Sequence, residues 1–309
     1  MRKQGLLLAL MALALLSACA KKQTATTEGK RWKVGVTLLT KQHPFYQELE
    51  SAMRETAQKE GIELLVQSAE FNLADQTAQV ENLLTSGVDA LIICPVDSAG
   101  IVGAVKKANA AKVPVFTADI AAQGGDVVCH VASDNVQGGR LAGEYMAKLL
   151  NGKGKVVIID HPVVTSVQDR TKGFLEAIRK YPGIQVVDRP PGDGVRDKAM
   201  AVTETMLQKY PDLAGIFAIN DSTALGALKA VESMGRTNVV IVGYDGDPEA
   251  RREILRGSAL KADAVQFPRK IGSTVVEMVA RYLRGESVPK VVPIPCDVID
   301  REKLQAGAP

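Results

Sequence analysis

The amino-acid sequence predicts a doubly wound α/β fold, in which two sets of parallel strands form two lobes with helices on both faces. From Lys33 onward, short apolar runs rich in Val and Ile alternate with longer segments of helical period. The runs are continuously apolar, which is typical of parallel strands buried on both faces. About ten such runs are too many for one average sheet of five or six strands, so two sheets are expected.

Strands and helices are expected to alternate along the whole chain. In the first half, strands are predicted at 34–39, 64–67, 90–94, 113–117 and 127–132, and helices at 45–60, 75–86, 100–110 and 138–150. In the second half, strands are predicted at 156–160, 185–188, 215–219, 239–243 and 260–265, and helices at 167–180, 196–209 and 223–234. Gly61, Gly87 and Gly235 follow helical segments directly, and Pro211 follows another, as is typical of helix ends. The glycine-containing segment 151–155 separates two blocks of similar rhythm.

The first eighteen residues have the pattern of a secretory signal peptide. Arg2 and Lys3 precede an uncharged apolar run from Leu6 to Leu16, and small residues then lead to Cys19. The run is shorter than the roughly 20 residues that a membrane-spanning helix needs. The pattern resembles the lipobox of bacterial lipoproteins, which implies a lipidated Cys19 followed by a flexible tether over residues 19–31. An ordinary signal peptide with a chance cysteine is the alternative; either places the protein outside the cytoplasm, in the periplasm or at the cell surface.

Charge, cysteine and histidine usage exclude several classes of protein. The 38 basic and 35 acidic residues nearly balance, so no basic surface for nucleic acid is expected. Cys94, Cys129 and Cys296 remain after Cys19, and an odd number argues against a disulfide framework. The three histidines are isolated and no Cys-x-x-Cys occurs, so spacing indicates no metal site.

Polar residues follow several of the predicted strands. In open α/β sheets, ligands bind beyond the carboxyl ends of the strands. Asp, Asn and Gln at such positions suit a polyhydroxyl ligand, since carboxylates accept hydrogen bonds and amides both donate and accept. The alternative at each position is that the side chain merely caps the next helix or forms a turn. The residues at these positions are His43, Asn72, Asp119, Asn220, Asp245 and Gln266.

Four segments carry a family resemblance that runs from Lys33 to about Ile299. They are Pro44-Phe45-Tyr46, Ser133-Asp134-Asn135-Val136, Phe217-Ala218-Ile219-Asn220-Asp221 and Gly243-Tyr244-Asp245-Gly246. The chain resembles the type I periplasmic sugar-binding proteins of ABC transporters, especially their ribose-binding branch. The resemblance implies two lobes joined by a three-segment hinge, one of residues 32–133 plus 267–295 and the other of residues 134–266 plus 296–309.

The resemblance also implies a ligand site. Phe45 and Tyr46 match an aromatic pair that sandwiches the sugar ring, and His43 takes the place of an asparagine. The polar contacts are matched by Asn72 and Asp119 from the first lobe, by Arg170, Asn220 and Asp245 from the second, and by Gln266 at a hinge crossing. Without the resemblance, Arg170 reads as a surface salt-bridge residue. Two residues depart from the pattern of the ribose branch. Ile120 stands where that branch has an arginine, and Gly194 aligns near an aromatic residue of the second lobe. Both departures suggest space for a larger or less hydroxylated ligand.

The implied function is that of a substrate-binding lipoprotein of an ABC transporter. Such a protein captures a monosaccharide, here a ribose-like pentose, a hexose or a ketose, and delivers it to a membrane permease and its ATPase. A sugar-sensing module that presents its ligand to a chemoreceptor or a sensor kinase is the alternative. No enzyme is expected, because the sequence has no Gly-x-Ser-x-Gly elbow and no phosphate loop. No cofactor and no nucleic-acid partner are expected, and the protein is expected to be a monomer.

Overall fold

The computed structural model describes residues 31–307 and contains two six-stranded sheets. The strands are β1 (Lys33–Leu38), β2 (Glu63–Ser68), β3 (Ala90–Ile93), β4 (Val115–Ala118), β5 (Val127–Ser133), β6 (Lys153–Ile159), β7 (Gly183–Asp188), β8 (Leu213–Ala218), β9 (Val240–Asp245), β10 (Leu260–Val265), β11 (Val291–Ile294) and β12 (Asp297–Asp300). The helices are α1 (Pro44–Glu60), α2 (Leu73–Thr85), α3 (Val102–Ala110), α4 (Asn135–Leu149), α5 (Thr165–Ile178), α6 (Arg196–Lys209), α7 (Asp221–Ser233), α8 (Pro248–Arg256), α9 (Pro268–Leu283) and α10 (Arg301–Gln305).

The two sheets have the same kind of strand order, and each defines a lobe. The first lobe is built on the order β11-β5-β4-β3-β1-β2, and the second on β12-β10-β9-β8-β6-β7. All pairs are parallel except that of β10 with β12, an antiparallel edge that the sequence did not predict. The predicted α/β fold with two parallel-sheet lobes is confirmed.

Alternate side chains of a central strand pack on opposite faces of each sheet. In β3, Ala90 and Ile92 join the apolar cluster that contains α1 and α9, whereas Leu91 and Ile93 join the cluster of α2 and α3. In the second lobe, Ile158 packs towards α4 and α5, and Ile159 packs towards α6 and α7. Both faces of each strand are therefore buried, as the continuous apolar runs predicted.

The chain passes from one sheet to the other three times: between β5 and α4, between β10 and α9, and between β11 and β12. The segment 151–155 does not separate the lobes, because it ends α4 and begins β6 within the second lobe. Helix α4 already packs closely on α5 of that lobe. The lobes are thus not simply the two halves of the sequence.

The remaining predictions concern cysteines and membrane segments. Cys94, Cys129 and Cys296 are free and buried, which agrees with the absence of a disulfide framework among them. Within residues 31–307, no helix combines the length and apolar character that a membrane crossing requires. The predicted signal peptide, Cys19 and the tether up to residue 30 lie outside the described residues.

Candidate ligand-binding site

A cavity lies between the two lobes, at the carboxyl ends of the strands. It is lined by Leu39, His43, Phe45, Tyr46, Phe71, Asp119 and Ile120 of the first lobe, by His161, Val164, Ser166, Val167, Arg170, Gly194, Ile219, Asn220 and Asp245 of the second, and by Gln266. Eight of the nine residues that the sequence proposed for the ligand site line this cavity. Asn72 does not.

The aromatic wall of the cavity is built by the first turn of α1. Pro44 stands at the start of this helix, where its fixed φ is favourable and no amide hydrogen is needed. Phe45 and Tyr46 follow, with their rings edge to face at a centroid distance of 5.2 Å. The Tyr46 hydroxyl donates to Asp119 Oδ2 at 2.6 Å, which fixes the orientation of both side chains.

Asp119 presents an unsatisfied acceptor to the cavity wall. It follows β4 with a φ of +64°, a left-handed conformation that is uncommon for a residue with a side chain. Its Oδ1 atom is buried and has no hydrogen-bond partner. Burial raises the pKa of Asp119 above its ordinary value, although Arg170 and the hydroxyl of Tyr46 oppose that rise. A ligand hydroxyl that donates to Oδ1 would remove this unfavourable condition.

Arg170 is buried beneath the second-lobe wall and is not a surface salt-bridge residue. Its Nε donates to Asn135 Oδ1 at 2.9 Å, and its Nη1 donates to the carbonyl oxygen of Ile219 at 2.7 Å. The guanidinium lies 4.0 Å from the ring centroid of Tyr244, and Nη1 is 3.9 Å from Asp245 Oδ1. Burial opposes its charge, but Tyr244 and Asp245 outweigh that effect and raise the pKa of Arg170.

Asp245 and Gln266 connect the site to the passages between the lobes. Gln266 Nε2 donates to Asp245 Oδ1 at 2.6 Å, while Ser133 Oγ donates to Gln266 Oε1 at 2.7 Å. Ser133 is the last residue of β5, directly before the first passage between the sheets. Gln266 lies in the second passage, between β10 and α9. Asp245 has a φ of +121°, and burial raises its pKa although Arg170 lowers it. Asp245 is therefore linked by hydrogen bonds to two of the three places where the chain passes between the sheets.

Asn220 and Asn72 both cap helices, but only Asn220 also lines the cavity. Asn220 Oδ1 caps α7 by accepting from Thr223 N at 2.9 Å, while the residue still lines the cavity. Asn72 Oδ1 caps α2 by accepting from the amides of Ala74 and Asp75, and the residue is exposed. Asn72 thus caps a helix and does not line the cavity in this structure, and a ligand contact from it stays a prediction.

Two imidazoles line the cavity, one from each lobe. Burial lowers the pKa of His43 to about 4, although a hydrogen bond to the backbone of Gly194 opposes the shift. Burial also lowers the pKa of His161. His161 was not proposed from the sequence, although it follows β6 at its carboxyl end and the same rule would have found it. At neutral pH both rings are uncharged, so each can donate one hydrogen bond and accept another.

Gly194 and Ile120, at which the sequence suggested space for a larger ligand, both line the cavity. Gly194 has a φ of +69°, and a β-carbon there would stand 3.1 Å from Asn220 Nδ2 and 3.7 Å from His161 Nδ1. A side chain at this position would therefore begin in contact with Asn220 and His161 of the second lobe. Ile120 is buried and presents an apolar side chain to the cavity.

Comparisons with known proteins agree with this fold. A family model described as a periplasmic binding protein domain matches residues 34–287. The ribose import binding protein RbsB of Salmonella typhimurium is 35% identical over 290 residues, which cover 93% of this chain and 97% of that protein. RbsB of Bacillus subtilis is 34% identical over 302 residues, with coverage of 96% and 98%. A solved ABC transporter solute-binding protein from Mycobacterium smegmatis with bound glycerol has a TM-score of 0.85 and 33% identity, with coverage of 90% and 97%.

A family match over most of the chain and relatives at this identity establish the class. The chain belongs to the type I periplasmic binding proteins, the sugar-binding proteins of ABC transporters. This membership confirms the resemblance that the four sequence segments carried. The family consists of solute-binding proteins.

Proposed function

We propose that this protein binds a monosaccharide in the cavity between its lobes and delivers it to the permease of an ABC transporter. The observation that carries the proposal is the combination of an aromatic wall with buried polar groups from both lobes. The Phe45 and Tyr46 rings offer an apolar face for the C–H groups of a sugar. Asp119 and Asp245 offer acceptors for hydroxyls, and Arg170 offers a charged donor.

The ligand we propose is a single sugar of pentose or hexose size, in pyranose, furanose or ketose form. The S. typhimurium and B. subtilis relatives are ribose import proteins, which favours a pentose. The polar groups around Gly194 favour additional hydroxyl contacts from the second lobe rather than a longer ligand. Ile120 favours a sugar with an apolar or deoxygenated edge opposite that side chain.

Binding is proposed to stabilise the closed arrangement of the lobes. The lobes are proposed to divide at residues 133/134, 266/267 and 295/296, where the chain passes between the sheets. In the structure the cavity is already bridged at one rim, where Ser98 N donates to Val163 O at 3.0 Å and Ala121 N donates to Thr165 Oγ1 at 3.0 Å. A ligand that contacts both lobes adds to these bridges and shifts the population towards closure.

We further propose that the protein acts outside the cytoplasm as a monomer held at the membrane by a lipid on Cys19. The support is the sequence pattern before Cys19 and the polar composition of the following tether. Acyl chains contribute about 0.8 kcal/mol per buried methylene group, so more than one chain would hold the protein stably. Metabolic labelling with a radioactive fatty acid tests this, with Cys19→Ser as the variant that should lose the label.

A ligand screen tests the central proposal. The purified protein is unfolded thermally in the presence of pentoses, hexoses, ketoses and polyols, and positive ligands are titrated by isothermal calorimetry. A ligand at 100 times its dissociation constant should add about 2.7 kcal/mol to the free energy of unfolding. If no sugar or polyol changes the unfolding midpoint, the carbohydrate proposal fails.

A further inference from the structure

The loop between β7 and α6 places a glycine in the wall of the ligand cavity. Gly194 of this loop has a φ of +69° and lines the cavity together with Asn220 and His161. A β-carbon on Gly194 would stand 3.1 Å from Asn220 Nδ2 and 3.7 Å from His161 Nδ1. The missing side chain therefore leaves a space in the wall that is bordered by two polar nitrogen atoms. We call this space, between Gly194, Asn220 and His161, the Gly194 recess.

The backbone around the Gly194 recess is anchored to a single buried residue. The amides of Gly192 and Asp193 both donate to the carbonyl oxygen of Asp160, at 2.9 and 3.1 Å. On the other side of the recess, the amide of His161 donates to Asp160 Oδ1 at 2.9 Å. Because the loop and the residue that follows β6 share this anchor, the recess is formed before any ligand arrives.

The first lobe meets the second lobe at the same place. His43 forms a hydrogen bond with the backbone of Gly194, and the proximity of His161 contributes to lowering the pKa of His43. The His43 ring also packs edge to face on Phe71, at a centroid distance of 5.5 Å. A ligand group that enters the Gly194 recess would therefore lie next to residues of both lobes.

The free polar atoms of the recess suit a hydroxyl group. Asn220 Oδ1 accepts from Thr223 N at 2.9 Å, which leaves Nδ2 available to donate. Among residues 31–307, neither Asn220 Nδ2 nor the His161 ring has a hydrogen-bond partner closer at hand. Burial lowers the pKa of His161, so its ring is uncharged at neutral pH and one ring nitrogen can accept. A hydroxyl can accept from the amide and donate to the imidazole, whereas a methyl group can do neither.

We propose that the ligand is an aldohexose in its pyranose form, and that the hydroxyl of its exocyclic hydroxymethyl group enters the Gly194 recess and contacts Asn220 and His161. The recess reaches back to the backbone, so a group that fills it must extend beyond the sugar ring. A ring hydroxyl extends by one heavy atom and a hydroxymethyl group by two. His161 is then a ligand-contacting residue that selects for this group.

This inference rests on the proposed function and defines its ligand more closely. The relatives from S. typhimurium and B. subtilis are ribose import proteins, and ribose in its pyranose form has no exocyclic hydroxymethyl group. A preference for an aldohexose would therefore distinguish this protein from those relatives.

Paired sugars test the inference. Wild-type protein is titrated by isothermal calorimetry with glucose, galactose, mannose and allose, with the 6-deoxy analogue of each, and with ribose. The expected result is that at least one aldohexose binds about tenfold more tightly than its 6-deoxy analogue, because the analogue leaves the polar atoms of the recess unpaired.

Variants of His161 test its part in that preference. His161→Ala should reduce the preference for the hydroxyl to about threefold or less, because one of its two partners is lost. His161→Asn should keep most of the preference, since the amide can donate and accept close to the position of Nδ1. His130→Ala is the control, because the His130 ring contacts Thr117 and does not line the cavity. The ratio of two affinities within one variant is insensitive to a general loss of stability.

The possible results separate this inference from the proposed function. If an aldohexose and its 6-deoxy analogue bind equally, or if only pentoses, ketoses or polyols bind, the inference is wrong and the proposed function stands. If the preference is the same in His161→Ala as in wild type, the hydroxyl lies elsewhere in the cavity and the role of His161 is rejected. If no sugar or polyol binds, the proposed function itself fails.

Discussion

Asp119 lines the cavity and has a buried side-chain oxygen without a hydrogen-bond partner. Its Oδ2 accepts from Tyr46, but its buried Oδ1 has no donor. A hydrogen bond to a charged group contributes about 1.5–3 kcal/mol, which corresponds to roughly 10- to 150-fold in affinity. We predict that Asp119→Asn weakens sugar binding by a factor in this range, measured by isothermal calorimetry.

The matched control for Asp119 is a carboxylate outside the cavity. Asp75→Asn changes an exposed residue on α2 and should leave the affinity unchanged. Asp119→Asn should not unfold the protein, because the amide has the size of the carboxylate and its oxygen can still accept from the Tyr46 hydroxyl. Equal affinities for wild type and Asp119→Asn would remove Asp119 from the ligand site.

His43 makes stability depend on pH on the acidic side of neutrality. Its pKa is 6.5 in an unfolded chain and about 4 in the fold, so between these values the unfolded state binds more protons. Its contribution to the free energy of unfolding is therefore complete above pH 6.5 and is lost as the pH falls towards 4. Urea unfolding at pH 7.0 and 4.5 should show a smaller acid loss for His43→Gln than for wild type. An equal loss in both proteins would contradict this assignment.

Residue-level prediction succeeded where a side chain's position follows from its place after a strand. Asp119, Asn220 and Asp245 line the cavity because the carboxyl ends of parallel strands meet at one edge. The same reasoning fails for Asn72, because an asparagine after a strand can instead cap the next helix. Only the path of the loop before α2 decides between these two roles.

The contact between α4 and α5 shows why particular glycines are needed within helices. A β-carbon on Gly173 of α5 would stand 2.0 Å from the carbonyl oxygen of Val136 and 2.9 Å from the amide nitrogen of Arg140. Both atoms belong to the backbone of α4, so they cannot move aside as a flexible side chain can. Close approach of these helices therefore requires glycine, and it also fixes α5, which carries Arg170.

We predict that Gly173→Ala destabilises the protein. Overpacking of this kind costs about 1–3 kcal/mol, and urea unfolding followed by circular dichroism would measure it. Gly103→Ala in α3 is the matched control, since nothing lies within 4 Å of the new methyl group. That control should be stabilised by about 0.5–1 kcal/mol, because alanine loses less entropy in a helix. A neutral Gly173→Ala variant would mean that α4 and α5 can move apart.

The elements that the sequence did not predict lie mainly near the carboxyl terminus of the described chain. Strand β11 contains Pro293 and is largely exposed, so it lacks the continuous apolar run of a central strand. Strand β12 has four residues and lies at an edge. Helices α8 and α9 begin with a proline at the first turn, a start signal that could have been used. Edge strands have a weak hydrophobic signal in the sequence because only part of their surface is buried.

At the scale of the whole molecule, the two lobes are joined by polar contacts at one rim of the cavity. Thr165 of α5 accepts from Ala121 N at 3.0 Å through its hydroxyl, and its own amide donates to Ser98 Oγ at 3.0 Å. Each neutral hydrogen bond contributes about 0.5–1.5 kcal/mol to the closed arrangement. Because these contacts bridge the lobes at the rim, we expect them to affect the equilibrium between open and closed lobes more than the choice of sugar.

We predict that Thr165→Val weakens sugar binding by about two- to tenfold, mainly through faster dissociation. The substitution keeps the shape of the side chain and removes the hydroxyl that bridges the lobes. Stopped-flow fluorescence would measure dissociation, and small-angle scattering would report a larger radius of gyration without ligand. Thr205→Val is the control, because the Thr205 hydroxyl bonds only to Ala201 within α6. If the dissociation rate of the sugar were unchanged in Thr165→Val, other contacts would hold the lobes closed.

By itself the sequence determined the α/β class, the presence of two sheets and those cavity-lining residues that directly follow a strand, such as Asp119, Asn220 and Asp245. These features follow from local rules, because apolar runs, helix ends and residues after strands are all read within a few positions. Tertiary structure alone decided that Asn72 caps a helix, that Asn220 and His161 lie beside Gly194, and that the carboxylates of Asp221 and Asp263 meet beside Gly243. Each of these depends on distances between residues far apart in the chain, which a single sequence does not record.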